Sequence, residues 1–308
     1  MDIARAITLP ERVHSPAAPS VRANRVSVLP LPVSIIILTR NEEHDLPRCL
    51  KSLDWCDDVH VLDSGSTDNT VAIAQAHGAA VHVNRFESFG RQRNWALDHC
   101  QARHPWVLFL DADEVATVEF REAVEQAIAD APPDCAGYYC CWKLMFCGQW
   151  LRRCDSFPKW QFRLLRTGRA RFTDFGHGQK EAAVNGDIGY LRTPYLHYAL
   201  SKGFRQWVTR HNQYSDLEAT ARLQARINWK AMFSRHASQR NPALKPLVSR
   251  LPAWPVWRFC WMYLAKRGFL EGRPGLIYCA GIAFYEFLIR AKMYELNAQT
   301  DAEQNPTR

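Results

Sequence analysis

The chain alternates short aliphatic runs with stretches in which apolar residues recur every three or four positions. Residues 33–38, Val-Ser-Ile-Ile-Ile-Leu, form a nearly continuous apolar run rich in β-branched side chains, the pattern of a strand buried on both faces. Leu46, Leu50 and Leu53 follow at helical spacing, with Asn41 available as the cap. Residues 59–62 read as a second strand. Ser66 is then expected to cap a helix through Val71, Ile73 and Ala74, closed by Gly78 just past its end. Residues 81–83 read as a third strand, Asn94, Trp95 and Leu97 as part of a helix, and residues 106–110 as a fourth strand. A further helix carries Phe120, Val124 and Ile128 on one face.

Strands that alternate with helices predict right-handed βαβ units and a mostly parallel α/β sheet. Ligands of such sheets bind beyond the carboxyl ends of the strands. Three loops occupy those positions, residues 39–42, 63–68 and 111–114, and all carry polar or acidic side chains. Beyond them the pattern weakens. Residues 136–171 are rich in Trp, Phe, Arg and Cys and poorly periodic. Past Tyr195 helical spacing returns, with aromatic and basic residues mixed. Residues 1–31 hold Pro, Ala, Ser and Arg without apolar periodicity and are expected to be a mobile leader. They lack the continuous apolar core of a signal peptide, which predicts a cytoplasmic protein. The expected organisation is leader 1–31, catalytic domain 32–200 and helical region 201–308.

The 308 residues carry a formal charge of +8, and its distribution changes the picture. From Ser201 onward there are 17 Lys and Arg against 7 Asp and Glu, so the basic character belongs to the C-terminal third. An anionic partner surface is implied, membrane or nucleic acid. The ten cysteines include Cys135, Cys140, Cys141, Cys147 and Cys154. Their spacing matches no paired C-x-x-C zinc pattern, and they are read as reduced, buried structural residues.

Candidate chemistry sits in the three loops. Asp111 and Asp113 are two apart, directly after the fourth strand. Two carboxylates at that spacing can face one hard cation, Mg²⁺ or Mn²⁺, bridged to a substrate phosphate. The same residues also suit a plain turn. Asp63 ends the second strand, where its carboxylate can accept from a base or ribose, and Gly65 permits a tight turn. The first loop, residues 39–42, is Thr-Arg-Asn-Glu.

Taken together, "VSIIILTRNEE", "VLDSGSTDNT", "GRQRNWAL" and "VLFLDADE", in this order and spacing, resemble the family 2 glycosyltransferases of GT-A fold. "FRLLRTGRARF", "GHGQKEA" and "LHYALSKGFRQWVTRHNQYS" are similar to the subgroup that contains lipopolysaccharide-core β-1,4-glucosyltransferases. The resemblance implies a nucleotide-sugar donor, most simply a UDP-sugar, held by Thr39, Asn41, Glu42 and Asp63. Arg93 and Asn94 approach ribose and diphosphate, Asp111 contacts ribose, and Asp113 with Asp111 binds the divalent cation. The family's base is a downstream Asp or Glu, often within a His-Glu pair. Here residues 177–181 read His-Gly-Gln-Lys-Glu, so Glu181 is the first choice and Asp174 and His177 are the alternatives. The implied reaction is a single inverting displacement onto a hydroxyl of a cell-surface glycan or lipid-linked acceptor. A sugar nucleotidyltransferase is the rival enzyme, but it would carry a Gly- and Lys-rich phosphate loop near the first strand. An inactive nucleotide-binding scaffold at the membrane is the rival outside catalysis.

In the C-terminal third, Trp254, Trp257, Phe259, Trp261, Tyr263 and Phe269 interleave with Arg258, Lys266 and Arg267. Residues 275–289 are largely apolar, interrupted by Glu286. Fifteen residues are too few to span about 30 Å of hydrocarbon. The segment is expected either to pack as a helical subdomain or to lie at a membrane interface. No nucleic-acid-binding motif accompanies the charge, so no nucleic-acid partner is expected.

Overall fold

The computed structural model describes residues 31–175, 178–225 and 251–304. Four parallel strands open the fold: β1 (Val33–Thr39), β2 (Val59–Asp63), β3 (Ala80–Val83) and β4 (Trp106–Asp111), lying side by side in the order β3-β2-β1-β4. The connecting helices are α1 (Leu46–Lys51), α2 (Thr70–Ala76) and α3 (Phe89–His99), and α4 (Val118–Ala129) follows the sheet's fourth strand. β1 explains its own composition. Ile35 and Ile37 point into the core shared with Leu46, Leu50 and Phe120, while Ile36 points into the opposite core with Ala96, Val107 and Phe109. A strand covered on both faces has no polar positions to alternate with.

The sheet continues from β4 through β8 (Trp160–Arg166), β6 (Cys135–Phe146), β11 (Asp187–His197) and the two-residue β5 (Glu114–Val115), with β7 (Gln149–Trp150) on β6. β8 is antiparallel to β4 and β6, and β6 is parallel to β11. β9 (Arg171–Phe175) and β10 (Gly178–Ala182) form a separate hairpin. The result is the mixed α/β, mostly parallel architecture expected, followed by helices α5 (Gly203–Gln224), α6 (Trp254–Cys260) and α7 (Gly272–Gln304). One π-helical turn (Trp261–Ala265) and one 3₁₀ turn (Gly268–Glu271) join α6 to α7.

Several local expectations are corrected. Asn41 does not cap α1. It sits at φ 56°, in the left-handed region, and the helix begins after Asp45. Ser66 does not cap α2, which begins at Thr70 after Asn69. Gly78 does follow the helix at φ 76°. The poorly periodic stretch is β6 and β8, which neighbouring strands flank and whose faces are both largely covered, so no alternation marks them. Cys135, Cys140, Cys141 and Cys154 are buried there, but Cys147 is exposed in the turn before β7.

The apolar run near the C terminus is also longer as a helix than expected. α7 is continuous for 33 residues, because the polar residues after Ile289 extend it. By length and composition it is the one described helix apolar enough to cross a membrane, at a mean hydropathy of 1.2. Its inner face nevertheless packs on the protein. Trp207 of α5 lies so close that a Cβ on Gly281 would stand 2.8 Å from its ring. Midway along α7, Glu286 accepts from Arg222 of α5 at 2.6 and 3.2 Å and from the Trp254 indole at 3.1 Å. Arg222 also meets Glu218 at 3.3 Å.

This buried cluster generates a stability prediction. Arg222→Met takes the cation from two buried carboxylates, Glu286 and Glu218, and should cost about 3–5 kcal/mol. Glu286→Leu leaves Arg222 on Glu218 and should cost less, and the double substitution should recover only part of the Arg222→Met loss, because Glu218 remains. Urea unfolding of the three variants checks it. Single-variant losses under about 1 kcal/mol would show that the cluster is not a structural tie.

Candidate functional site

The carboxyl ends of β1, β2 and β4 converge, and each loop predicted from sequence is there. The first two loops are laced together through side chains. Asn41 N donates to Ser66 Oγ at 2.8 Å, and Thr67 N donates to Asn41 Oδ1 at 2.8 Å. Glu42 N donates to Thr70 Oγ1 at 2.7 Å. Asp63 is buried, and four donors occupy its carboxylate: Gly65 N, Ser66 N, Ser66 Oγ and Thr39 Oγ1, at 2.9, 2.8, 2.5 and 3.1 Å. A carboxylate has about four lone-pair sites. Asp63 and the buried Thr39 therefore shape this loop.

The third loop separates the two aspartates by their partners. Asp111, about one third exposed, receives Arg163 at 2.7 and 3.2 Å and Arg93 at 3.2 Å. Both guanidinium groups are buried. Glu114 lies beneath, accepting from Arg163 at 2.8 Å and from the Asp111 backbone N–H at 2.8 Å. Burial alone would raise the Asp111 pKa, but Arg163 and Arg93 hold it well below the usual carboxylate range. Burial lowers Arg93 to about 10, reinforced by Arg163 and opposed by Asp111. Arg93 is thus the inner support of Asp111 and does not present its guanidinium to solvent, as the diphosphate reading expected. Its Nε and Nη1 atoms have no hydrogen-bond partner.

Asp113 instead faces His197, with Oδ2 3.4 Å from Nε2. The two-residue strand β5 brings this about. It pairs antiparallel with β11, setting His197 opposite Glu114 and Leu196 opposite Val115. Tyr198 N then donates to Asp113 O at 2.9 Å. Burial opposes the His197 charge, yet Asp113, with Glu114 and Asp111 behind it, raises its pKa to about 9.

The segment after β11 closes the same rim. Lys202 meets Glu42 at 2.7 Å and donates to Asn41 O at 2.7 Å, and Ser201 Oγ donates to Asp45 Oδ2 at 2.7 Å. Burial raises Glu42 to about 7 despite Lys202. From α5, Arg210 lowers the Asp113 pKa, and Tyr214 is near enough to feel Asp111, Asp113 and Glu42.

The base candidates lie on the β9–β10 hairpin, away from this rim. Asn94, expected at the donor, spends both ends of its amide on the Phe172 backbone at 2.9 Å, pinning the hairpin to α3. Asp174 Oδ1 accepts from Gly90 N at 3.0 Å in the first turn of α3. Glu181 accepts from the Tyr139 hydroxyl at 2.5 Å. It lines a cleft with Trp160, Gln161, Phe162, Phe172 and Gln179 that contains neither Asp111 nor Asp113. The cleft's link to the aspartates is Phe172, whose ring lies under the Arg93 guanidinium at 5.9 Å. His177 lies outside the described residues.

Arg163, Glu114, His197, Lys202, Arg210 and Tyr214 were not singled out from sequence. His197 lies inside "LHYALSKGF", but nothing local to that stretch shows that it faces Asp113. Among the described residues no three His, Cys, Asp or Glu side chains gather into a metal cage. Asp113 and His197 still suit a cation: an oxygen and an imidazole donor at an open position that substrate oxygens would complete.

Residues 34–175 match a family described as "Glycosyl transferase family 2". The chain is 27% identical over 274 residues to the lipopolysaccharide core biosynthesis glycosyltransferase LpsC of Rhizobium meliloti, covering 87% of this chain and 94% of that one. It is 27% identical over 278 residues to an uncharacterized glycosyltransferase of Rickettsia typhi, covering 87% and 88%. Among solved structures, S. aureus TarS 1–349 in complex with UDP is 20% identical, covering 87% and 91%, with a TM-score of 0.44.

The Asp113–His197 contact generates a pH prediction for metal-free protein. A histidine whose pKa rises from 6.5 to about 9 on folding contributes stability that is complete below about pH 6.5. That contribution is lost as pH rises through 9. The difference in unfolding free energy between wild type and His197→Gln, measured with chelator present, should therefore shrink from pH 6 to pH 10. A difference that stays flat across that range would show that the pair does not form in solution.

Proposed function

We propose, from the match of residues 34–175 to the family 2 glycosyltransferases, that this glycosyltransferase is an inverting enzyme with a UDP-sugar donor. The acceptor is a hydroxyl of a cell-surface glycan or lipid-linked saccharide of the lipopolysaccharide-core kind, at the cytoplasmic face of the membrane. Likeness to LpsC along most of both chains supports that acceptor class. The observation that carries the reading is the asymmetry of the aspartate pair. Asp111 is fixed by two buried arginines, and Asp113 is left to one imidazole.

In this scheme Asp113 and His197 would hold a divalent cation, Mg²⁺ or Mn²⁺, which would supply positive charge against that developing on the departing nucleoside diphosphate. Asp111, anchored by Arg163 and Arg93, orients the ribose with one exposed oxygen edge. The first two loops, cross-linked through Asn41, Glu42 and Ser66, form the wall against the nucleoside. Arg210 adds positive charge on the open side, where the diphosphate would lie.

Glu181 takes the proton of the acceptor hydroxyl as that oxygen attacks the anomeric carbon and the bond to the diphosphate breaks. Tyr139 positions its carboxylate. The neighbouring aromatic wall supports a sugar site: Tyr190 is exposed, stacks on Tyr139 at 5.2 Å and meets Trp160 edge-on at 5.0 Å. Asp174 is the weaker candidate because it is engaged with the first turn of α3. The nucleotidyltransferase alternative loses ground, because the first loop's polar groups are spent on the second loop rather than arranged as a phosphate cradle.

Two outcomes follow. Asp113→Ala should abolish transfer and remove the Mn²⁺-dependent part of UDP affinity. Calorimetry with and without Mn²⁺ decides it, and an unchanged metal-dependent affinity would refute the assignment. Glu181→Gln keeps the shape and should leave UDP binding intact while transfer falls by about a hundredfold or more. Transfer near wild type, assayed over a panel of nucleotide sugars, would move the base to Asp174 or His177.

A further inference from the structure

Among the described residues, exposed large hydrophobic side chains are concentrated in one place. Twelve of the seventeen lie between Leu251 and Tyr294. Their spacing is helical. Trp257, Trp261 and Leu264 recur at intervals of four and three along α6 and the π turn, while Met262 between them is buried. On α7, Ile277, Phe284 and Phe287 recur at seven and three, while Tyr278, Cys279 and Ile289 face inward. α7 therefore has a satisfied apolar side and an unsatisfied one, while α6 buries none of its residues and only the π turn after it sets Met262 inward. Soluble surfaces scatter such residues singly, and stripes of this kind mark contact with another apolar phase.

The 3₁₀ turn between them sharpens the picture. Phe269 and Leu270 are 46% and 56% exposed, and Arg267 and Arg273 flank them, both exposed. An apolar knuckle with a guanidinium on each side matches an acyl layer beneath anionic head groups. Carboxylates are sparse on this surface: Glu295, exposed on α7, comes only after Tyr294. The only two between Leu251 and Tyr294 are Glu271 and Glu286, and both are buried. Glu271 accepts from the backbone N–H groups of Arg153 and Cys154 at 2.6 and 3.0 Å, and Glu286 pairs with Arg222.

We propose that α6, the knuckle Phe269–Leu270 and α7 form one platform that inserts in the plane of an anionic phospholipid bilayer. The platform lies on the membrane and does not cross it. Although α7 is long enough to span, its centre holds the Glu286–Arg222 pair, and its inner face is the packing surface for α5. Spanning would pull both into hydrocarbon. The inner face is tied to the β7–β8 connection through Glu271 and through Tyr278, whose hydroxyl donates to Asp155 at 2.6 Å. A membrane held by the outer face is thereby fixed relative to the catalytic sheet. The inference stands apart from the donor chemistry proposed above.

Vesicle flotation of the full chain tests it, with neutral phosphatidylcholine and with mixed phosphatidylcholine–phosphatidylglycerol vesicles. Wild type should float with the anionic vesicles, and added salt should weaken but not abolish binding. Phe269→Asp with Leu270→Asp should reduce binding by about tenfold or more, while Tm and UDP affinity stay at wild-type values. Arg267→Gln with Arg273→Gln should lose mainly the preference for anionic lipid. The proposal is overturned if wild type ignores anionic vesicles at low salt, or if the Phe269/Leu270 variant floats like wild type. It is equally overturned if wild type is a dimer that this variant dissolves and neither form binds vesicles, since a second copy then covers the face. Lost UDP binding in wild type would instead count against the donor site and leave this result standing.

Discussion

The arrangement at Asp111 is the constraint around which the catalytic half is organised. Two buried guanidinium groups, Arg93 from α3 and Arg163 from β8, converge on a single carboxylate, and Glu114 completes the charge balance from β5. Buried charges are tolerated only when paired and hydrogen-bonded. Each of these four side chains therefore requires the others, and with them the elements they come from. The antiparallel insertion of β8 beside β4 is what delivers Arg163. The consequence for chemistry is a division of labour between two aspartates that look equivalent in sequence. One is immobilised and charge-neutralised, and the other faces an imidazole at the open rim.

How much of this was legible follows from how local each signal is. The βα half was readable because β1 and β4 are unbroken apolar runs and the helices between them keep a clear period. The aspartate pair was readable because both residues sit in one turn. The partners were not. Arg163 is 52 residues from Asp111, and His197 reaches Asp113 only because Leu196 and His197 pair with a two-residue strand. β6 was hidden because both its faces are largely covered, so Cys, Trp and Tyr stand where a half-exposed strand would alternate with polar residues. The cap assignments failed for a related reason. Asn41 and Ser66 are good cap residues by type, but each found a partner in the other's loop, 25 residues away.

The boundary expected at residue 200 separates groups that the structure joins. Lys202 and Ser201 hold the first loop, and Arg210 and Tyr214 of α5 stand over the aspartates. α5 in turn packs on α7 through Trp207 and the Arg222–Glu286 pair. The C-terminal helices are thus continuous with the rim around the aspartates on one side and carry the exposed apolar stripes on the other. Their basic character has two destinations: some cations, such as Lys202 and Arg222, are spent internally, and others, such as Arg267 and Arg273, remain at the surface.

The account turns on Asp113 and His197 holding a cation that also touches the nucleotide. Pulsed electron paramagnetic resonance of Mn²⁺ with the protein and UDP reads this directly. The account predicts a ³¹P coupling from the diphosphate together with a ¹⁴N coupling that disappears in His197→Gln. A Mn²⁺ signal that stays that of the hydrated ion or of free Mn²⁺–UDP, with no protein nitrogen, would contradict it.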